Sequence, residues 1–280
     1  MNWLMIDEII KNALIEDSTY GDITTLAIVS SKSKSSVDLI AKEEGVIAGL
    51  PVFKRVFDML GEVEIHFYVE DGDVVKAGQM FGYLKGKTQH ILTGERIALN
   101  LLQRMSGIAT MTHKAAQLLE GTHTKVLDTR KTTPNLRVLE KYAVVVGGGN
   151  NHRFNLSDGI LIKDNHIAAA GGIKEAILKV SNNVSFVRKI EVEVETLEQV
   201  QEALDAKADI IMLDNMSLDH MKEAVALIDK RSITEASGNV TLDNIRDMAE
   251  TGVDFISLGM LTHSVNALDI SMKNLLLKKE

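Results

Sequence analysis

Charged residues close several short apolar runs in this chain. Lys125-Val126-Leu127 ends in Asp128 with Arg130 and Lys131 just beyond, Ile160-Leu161-Ile162 ends in Lys163, and Ile211-Met212-Leu213 ends in Asp214. In a barrel of parallel strands, a polar residue at a strand's end points into the mouth where chemistry is done. The run Ile190-Glu191-Val192-Glu193-Val194-Glu195 places its carboxylates on one strand face. A parallel strand covered on both faces should be nearly all apolar. These carboxylates therefore belong either to a wet edge or to a barrel lumen, paired there with Lys/Arg or holding Mg²⁺.

Other residues add to this set. Gly147 to Gly149, followed by Asn150, Asn151, His152 and Arg153, form a turn whose backbone can approach a ligand, and His152 and Arg153 can both donate to an anion. No second histidine stands at ligand spacing from His152 and the chain has no cysteine, so zinc is not expected. His166 reads as a structural hydrogen-bonding residue. Arg104 lies at the margin of an apolar helical arc with Ile97, Leu101 and Ile108, which suits a structural salt bridge or an active-site role. Ser237-Gly238-Asn239 precedes a helix expected from about Thr241, and Gly259 follows the last strand. Small-residue turns of this kind, after the final strands of a barrel, bind phosphate or simply turn the chain.

The elements that must position these residues are those of a soluble α/β enzyme. The 280 residues are 45% apolar and 25% charged, with no cysteine, two prolines and a net charge of −8. That composition excludes disorder, collagen and disulfide scaffolds, and fits a cytoplasmic chain. No apolar run approaches the roughly 20 residues of a membrane span, and Asp7 and Glu8 interrupt any signal-like start. From residue 185 onward ten Lys/Arg face eighteen Asp/Glu, whereas residues 128–166 carry six basic against four acidic groups. An acidic protein with one local basic cluster suits a small, highly charged anion rather than nucleic acid.

Residues 3–17 have the spacing of an amphipathic helix. Short β-like runs follow at 36–41, 45–48, 64–69 and 79–86. The glycine turns within 69–86 look like those of biotinyl or lipoyl sheet modules, but no lysine stands at a hairpin tip, so the segment reads as architecture rather than a carrier. Helical periodicity begins at Thr93, a candidate N-cap, and a second helix runs from about 110 to Gly121. Beyond it, apolar runs alternate with helical stretches at the spacing of βα units, and neither GxGxxG nor GxxxxGK[ST] occurs.

With these residues in view, five stretches resemble the quinolinate phosphoribosyltransferase family: NLLQRMSGIAT (100–110), DTRKTTP (128–134), LEKYAVVVGGGNNHRFNLSD (139–158), LIKDNH (161–166) and IEVEVE (190–195). The resemblance covers essentially the whole chain. It implies an α/β fold with an N-terminal α/β sandwich over residues 1–106 and an open, incomplete (β/α) barrel of about seven strands over 107–280, a C-terminal helix packing back on the first domain. It implies a pentosyltransferase that joins quinolinate to phosphoribosyl pyrophosphate with Mg²⁺, yielding nicotinate mononucleotide, CO₂ and pyrophosphate for de novo NAD synthesis. Arg104, Arg130, His152, Arg153 and Lys163 would surround quinolinate, Arg104 being supplied by the other subunit of a homodimer. Lys131 would contact the phosphoribosyl donor, and Glu193 and Asp214 its ribose and Mg²⁺. Ser237, Gly238, Asn239, Gly259 and, less directly, His263 would hold its 5′-phosphate. Lys131, Lys163, Glu193 and Asp214 carry the catalytic expectation. Phe154-Asn155 departs from the family's pattern after His-Arg. The rival readings are a homologue from a molybdenum gene cluster, an enzyme of related fold acting on nicotinate, and a non-catalytic sheet module.

Overall fold

The structure is a computed structural model and describes residues 1–278. The described residues form two compact units, one of residues 1–113, 132–148 and 261–278, the other of residues 114–131 and 149–260.

The chain opens with α1 (Trp3–Asp17), which buries Ile6 and Ile10, and α2 (Ile23–Ile28), capped by the Asp22 side chain. Strands β1 (Lys34–Ala41) and β2 (Gly45–Val46) lead into α3 (Leu50–Leu60), whose Phe53 and Phe57 are fully buried 5.3 Å apart. Then come β3 (Val63–Phe67), β4 (Val74–Val75), β5 (Met80–Lys87) and the 31-residue α4 (Thr88–Leu118). The segment with glycine turns is architectural, as its sequence suggests. Asp71 accepts the backbone N–H groups of Gly49 and Leu50 at the start of α3, and the Tyr142 hydroxyl donates to the same carboxylate.

Two helices were expected where α4 runs unbroken, and Thr93 lies inside it rather than at a cap. Gly107 stands in the gap left between the two expected helices. A Cβ there would collide with the Asn266 carbonyl, so this glycine serves a close backbone approach and not a helix end.

In the second unit, β6 (Lys125–Leu127) comes first. The chain then passes through α5 (Arg137–Val146), which belongs to the first unit, and returns as β7 (Ile160–Ile162), α6 (Asp164–Ala170) and α7 (Ile173–Asn183). Next come β8 (Ile190–Val194), α8 (Leu197–Asp205), β9 (Ile210–Asp214), α9 (Leu218–Ile228), β10 (Ile233–Ser237), α10 (Ile245–Ala249) and β11 (Phe255–Ser257). Local chemistry fixes the helix starts: Thr196 caps α8 in a reciprocal box with Gln199, and Ser217 caps α9.

These strands form one parallel sheet in the order β6-β11-β10-β9-β8-β7. It is an open barrel of six strands rather than about seven. Beside β6 the place of a further strand is held by a single parallel bridge, Leu127 to Asn150. The carboxylate-bearing strand is β8, which pairs with β7 on one side and β9 on the other. The wet-edge reading therefore falls for Glu191 and Glu193, which face the lumen, while Glu195 lies beyond the strand and is exposed.

After α11 (Met260–His263) the chain ends in β12 (Ile270–Leu277). The C-terminal segment expected as a helix is thus a strand. Its alternating Ile270 and Met272 are buried as it pairs with β1, and it completes the antiparallel sheet β12-β1-β5-β3 of the first unit. No helix among the described residues is long and apolar enough to cross a membrane.

Candidate active site

The C-terminal ends of the parallel strands open on a cavity of about 490 Å³, a volume suited to a small ligand. Thr129, Arg130 and Lys131 line it beyond β6, Lys163 beyond β7, Glu193 on β8 and Asp214 at the end of β9. Glu235 and Ser237 of β10 complete the wall with Gly238 and Asn239, and His152 and Arg153 enter from the loop before β7. Sheet register explains the gathering. Glu193, Met212 and Glu235 are aligned across β8, β9 and β10, so all three point to one face.

Lys163 Nζ donates to Glu193 Oε2 at 2.5 Å, and the Lys163 backbone N–H donates to His166 Nδ1 at 3.0 Å. His166 thus has the structural bond expected of it, fixing the residue that starts α6. Asp214 Oδ2 accepts from Asn215 Nδ2, and Asn215 Oδ1 accepts from Asn239 Nδ2. Arg153 Nη1 donates to the Gly159 carbonyl. Burial, and then the nearby charge of Arg130, hold the Arg153 guanidinium below its usual pKa, with Glu191 opposing them. An adjoining cavity, also about 490 Å³, shares Arg130, Arg153, Leu161 and Lys163 with the first and continues over Leu156, Ile160, Ala176 and Val180. The cationic cluster thus stands between a polar chamber and an apolar one. An anionic aromatic ring would find both there.

The turn Ser237 to Asn239 lines the cavity, but the helix expected at Thr241 starts only at Ile245 and has five residues. Side-chain amides hold the turn instead of a long helix end. Gly238 has φ +91°, and a Cβ on it would strike the Asn215 amide. Gly147 also has a different use. A Cβ on Gly147 would collide with the Ala109 carbonyl of α4, so that glycine serves packing inside the first unit. Asp128 is fully buried and accepts the His152 backbone N–H at 2.8 Å, which makes it a support of the loop rather than a group in the mouth.

Three expected residues lie elsewhere. Gly259 follows β11 in the second unit but is not part of the cavity wall. His263 is exposed in the first unit, with Nδ1 2.7 Å from the Ser264 hydroxyl. Arg104, on α4 in the first unit, donates through Nε and Nη2 to Glu140 Oε1 at 2.8 and 2.6 Å, and through Nη2 to Thr133. Glu140 is 1% exposed, and its other oxygen accepts the Thr133 N–H. Within its own chain Arg104 has the structural salt bridge.

Sequence reasoning missed Asn215, Glu191 as an individual residue, and Glu235. Glu235 is 2% exposed. His152 Nε2 lies 3.0 Å from Glu191 Oε2 and 3.6 Å from Glu235 Oε2. Burial foremost, and then the Glu191 charge, push the Glu235 carboxyl up to about 7, against the opposing influence of His152, Ser257 and Lys163. A raised carboxyl means that the folded chain keeps a proton that the unfolded chain releases. The resulting stabilisation is fully present below the unfolded value and is lost as pH rises through about 7. Across that window the loss is on the order of 3 kcal/mol. The urea midpoint of the native chain should therefore fall between pH 5 and pH 8 relative to that of Glu235→Gln. Parallel curves for the two proteins would contradict the assignment.

A basic cluster and paired acids at the C-terminal end of an open parallel barrel define an enzyme that handles polyanionic substrates. The comparisons make that class specific. The N-terminal domain of quinolinate phosphoribosyl transferase matches residues 22–106 and its C-terminal domain residues 108–273. A Bacillus subtilis protein named "Probable nicotinate-nucleotide pyrophosphorylase (carboxylating)" is 47% identical over 97% of this chain and 94% of its own length. Mitochondrial quinolinate phosphoribosyltransferase (decarboxylating) 2b of Nicotiana tabacum is 43% identical, over 96% of this chain and 82% of its own. The crystal structure of NadC from Streptococcus pyogenes matches with a TM-score of 0.96 at 47% identity, covering 100% of this chain and 99% of that one. The chain belongs to the quinolinate phosphoribosyltransferase family. Human nicotinic acid phosphoribosyltransferase, at 12% identity and a TM-score of 0.60, shares the fold alone.

Proposed function

We propose that this chain transfers the phosphoribosyl group of phosphoribosyl pyrophosphate to quinolinate with decarboxylation, forming nicotinate mononucleotide, CO₂ and pyrophosphate in de novo NAD synthesis. The observation that carries the reading is one cavity in which Arg130, Lys131, Arg153 and Lys163 face Glu193 and Asp214. Quinolinate brings two adjacent carboxylates, which suit guanidinium forks. The donor brings phosphates, which suit Lys131 as a point charge.

Glu193 and Asp214 offer the oxygen ligands that Mg²⁺ prefers. They would hold it together with the donor, and it would supply charge neutralisation for the departing pyrophosphate. Arg130, Arg153 and Lys163 orient quinolinate so that its ring nitrogen attacks the ribose carbon as the bond to pyrophosphate breaks. The carboxylates of Glu193 and Asp214 stabilise the positive charge that develops on that carbon. Once the nitrogen is alkylated, the cationic ring accepts the electron pair released as CO₂ leaves the neighbouring carbon, and that carbon then takes a proton. No covalent enzyme nucleophile takes part. Ser237, Gly238 and Asn239 fit the donor's 5′-phosphate, with Gly259 and His263 as outer candidates.

The working form in this reading is a cytoplasmic homodimer in which Arg104 of one subunit serves the partner's site. Chains carrying Arg104→Gln, which keeps a donor for buried Glu140, should regain part of their activity when mixed with Lys163→Ala chains. Verified heterodimers without recovery would sink the shared site. The activity itself is tested by following nicotinate mononucleotide and CO₂ from quinolinate and the donor, with Mg²⁺ and with excess chelator. Equimolar products that vanish with chelator are expected. No product, or full turnover in chelator, would overturn the reaction or its metal requirement respectively.

A further inference from the structure

In the cavity wall and just behind it, His152, Glu191 and Glu235 each bring one ligand atom to within 4.8 Å of the others, an arrangement that could pass for a metal site. The hydrogen bonds of the ring assign it differently. The Arg153 backbone N–H donates to His152 Nδ1 at 2.6 Å. Nδ1 therefore offers its lone pair, and the ring proton is on Nε2, which faces the two carboxyl groups. A histidine that ligates a metal normally has the reverse arrangement, donating its other N–H to an acceptor.

The carboxyl groups complete the assignment. Glu191 Oε2, 3.0 Å from Nε2, is placed to accept that proton. Glu235 Oε1 has no hydrogen-bond partner among the described residues, and the residue is 2% exposed. An ionised carboxylate there would leave Oε1 without a donor and stand beside a second buried negative charge. The neutral acid is favoured, in keeping with the upward shift of this carboxyl. Below about pH 7 the cluster then holds one carboxylate, one carboxylic acid and one neutral imidazole.

We propose that Glu191 and Glu235 are positioning residues for the quinolinate end of the cavity, acting through a neutral His152 whose ring holds the Arg153 amide. The backbone on either side of the ring is held too. The His152 N–H donates to buried Asp128, and the Arg153 guanidinium donates to the Gly159 carbonyl. Three successive anchors therefore set the direction in which Arg153 is presented. In this state both His152 nitrogens are engaged inside the protein, and Arg153, Arg130 and Lys163 carry the charge offered to the substrate. This inference rests on the quinolinate reading of the cavity.

The test has a spectroscopic and a kinetic part. Nitrogen-15 NMR of selectively labelled histidine in the unliganded native chain, with His152 assigned by His152→Gln, should show a neutral ring protonated on Nε2 at pH 7. Glu191→Ala should raise KM for quinolinate about tenfold to a hundredfold. It should change kcat and KM for the phosphoribosyl donor much less, and Glu191→Gln, which keeps an acceptor for the ring proton, should recover most of the loss. An Nδ1-protonated or doubly protonated ring would overturn the proposal, as would equal rises in KM for both substrates. If Glu191→Ala does not fold, the tautomer and the Glu191→Gln kinetics decide. A native chain that shows the expected tautomer but neither turns over nor binds quinolinate would refute the reaction while leaving the clamp standing.

Discussion

Arg153→Ala is expected to lower kcat/KM for quinolinate by about 10²–10³-fold, the loss that follows when the cationic partner of a buried carboxylate is removed. The side chain lines both cavities, so its loss reaches the polar chamber and the apolar one. KM for the phosphoribosyl donor should stay within about threefold, because Lys131 and the Ser237 turn lie on other parts of the wall. Steady-state kinetics with each substrate varied in turn provides the check. Equal rises in both KM values would mean that Arg153 serves the phosphates instead. Arg153→Lys should recover only part of the loss, since an ammonium cannot reproduce a two-pronged contact.

The second large effect concerns stability. Arg104→Ala removes the cation from Glu140, which is 1% exposed and would keep the Thr133 amide as its remaining donor among the bonds described above. Breaking one side of such a buried pair costs about 3–5 kcal/mol, because the remaining charge is stranded. Urea denaturation should show a loss of that order, and adding Glu140→Gln should return a substantial part of it. If Arg104→Ala alone left the midpoint unchanged, the Arg104–Glu140 pair would not be structural.

The site was legible because its residues stand at strand ends, where side-chain direction follows from a period of two. Lys163 and Asp214 could be placed on one rim without coordinates and the cavity contains both, whereas Asp128, read by the same rule, is buried and Glu193 stayed open between a wet edge and the lumen. Glu235 was hidden by the same rule. In Ile-Thr-Glu-Ala-Ser one acid in a short strand is no signal until the register aligns it with Met212 and Glu193. Glu140 was hidden by distance, being 36 residues from the arginine it pairs with. The gap expected between two helices near residue 107 and the helix expected from about Thr241 both fall beside a glycine that makes a close approach. Small residues mark close approaches as often as chain ends, and only tertiary packing, here the Asn266 carbonyl and the Asn215 amide, separates the two uses.

The fold followed a similar division. Recurring apolar runs showed a parallel sheet with intervening helices, because local periodicity encodes both. The apolar runs correspond to the six strands observed, whereas the resemblance implied about seven, one position beside β6 being held only by the bridge at Asn150. The return of the C-terminus as β12 was also illegible. A strand that pairs with β1, more than two hundred residues earlier, leaves no local mark of its partner.

The central claim is that this cluster of cations is built for two carboxylates. Nicotinate keeps the ring and one carboxylate of quinolinate and lacks the other, so it meets the Arg130, Arg153 and Lys163 cluster with one carboxylate fewer. Sites built around a polar group reject analogues that lack it by roughly 10⁴-fold. The direct test is the ratio of kcat/KM for quinolinate to that for nicotinate, measured on the native chain with saturating phosphoribosyl pyrophosphate and Mg²⁺. A ratio of about 10³ or more is the expected result, and a ratio within about tenfold would contradict the dicarboxylate reading of the site.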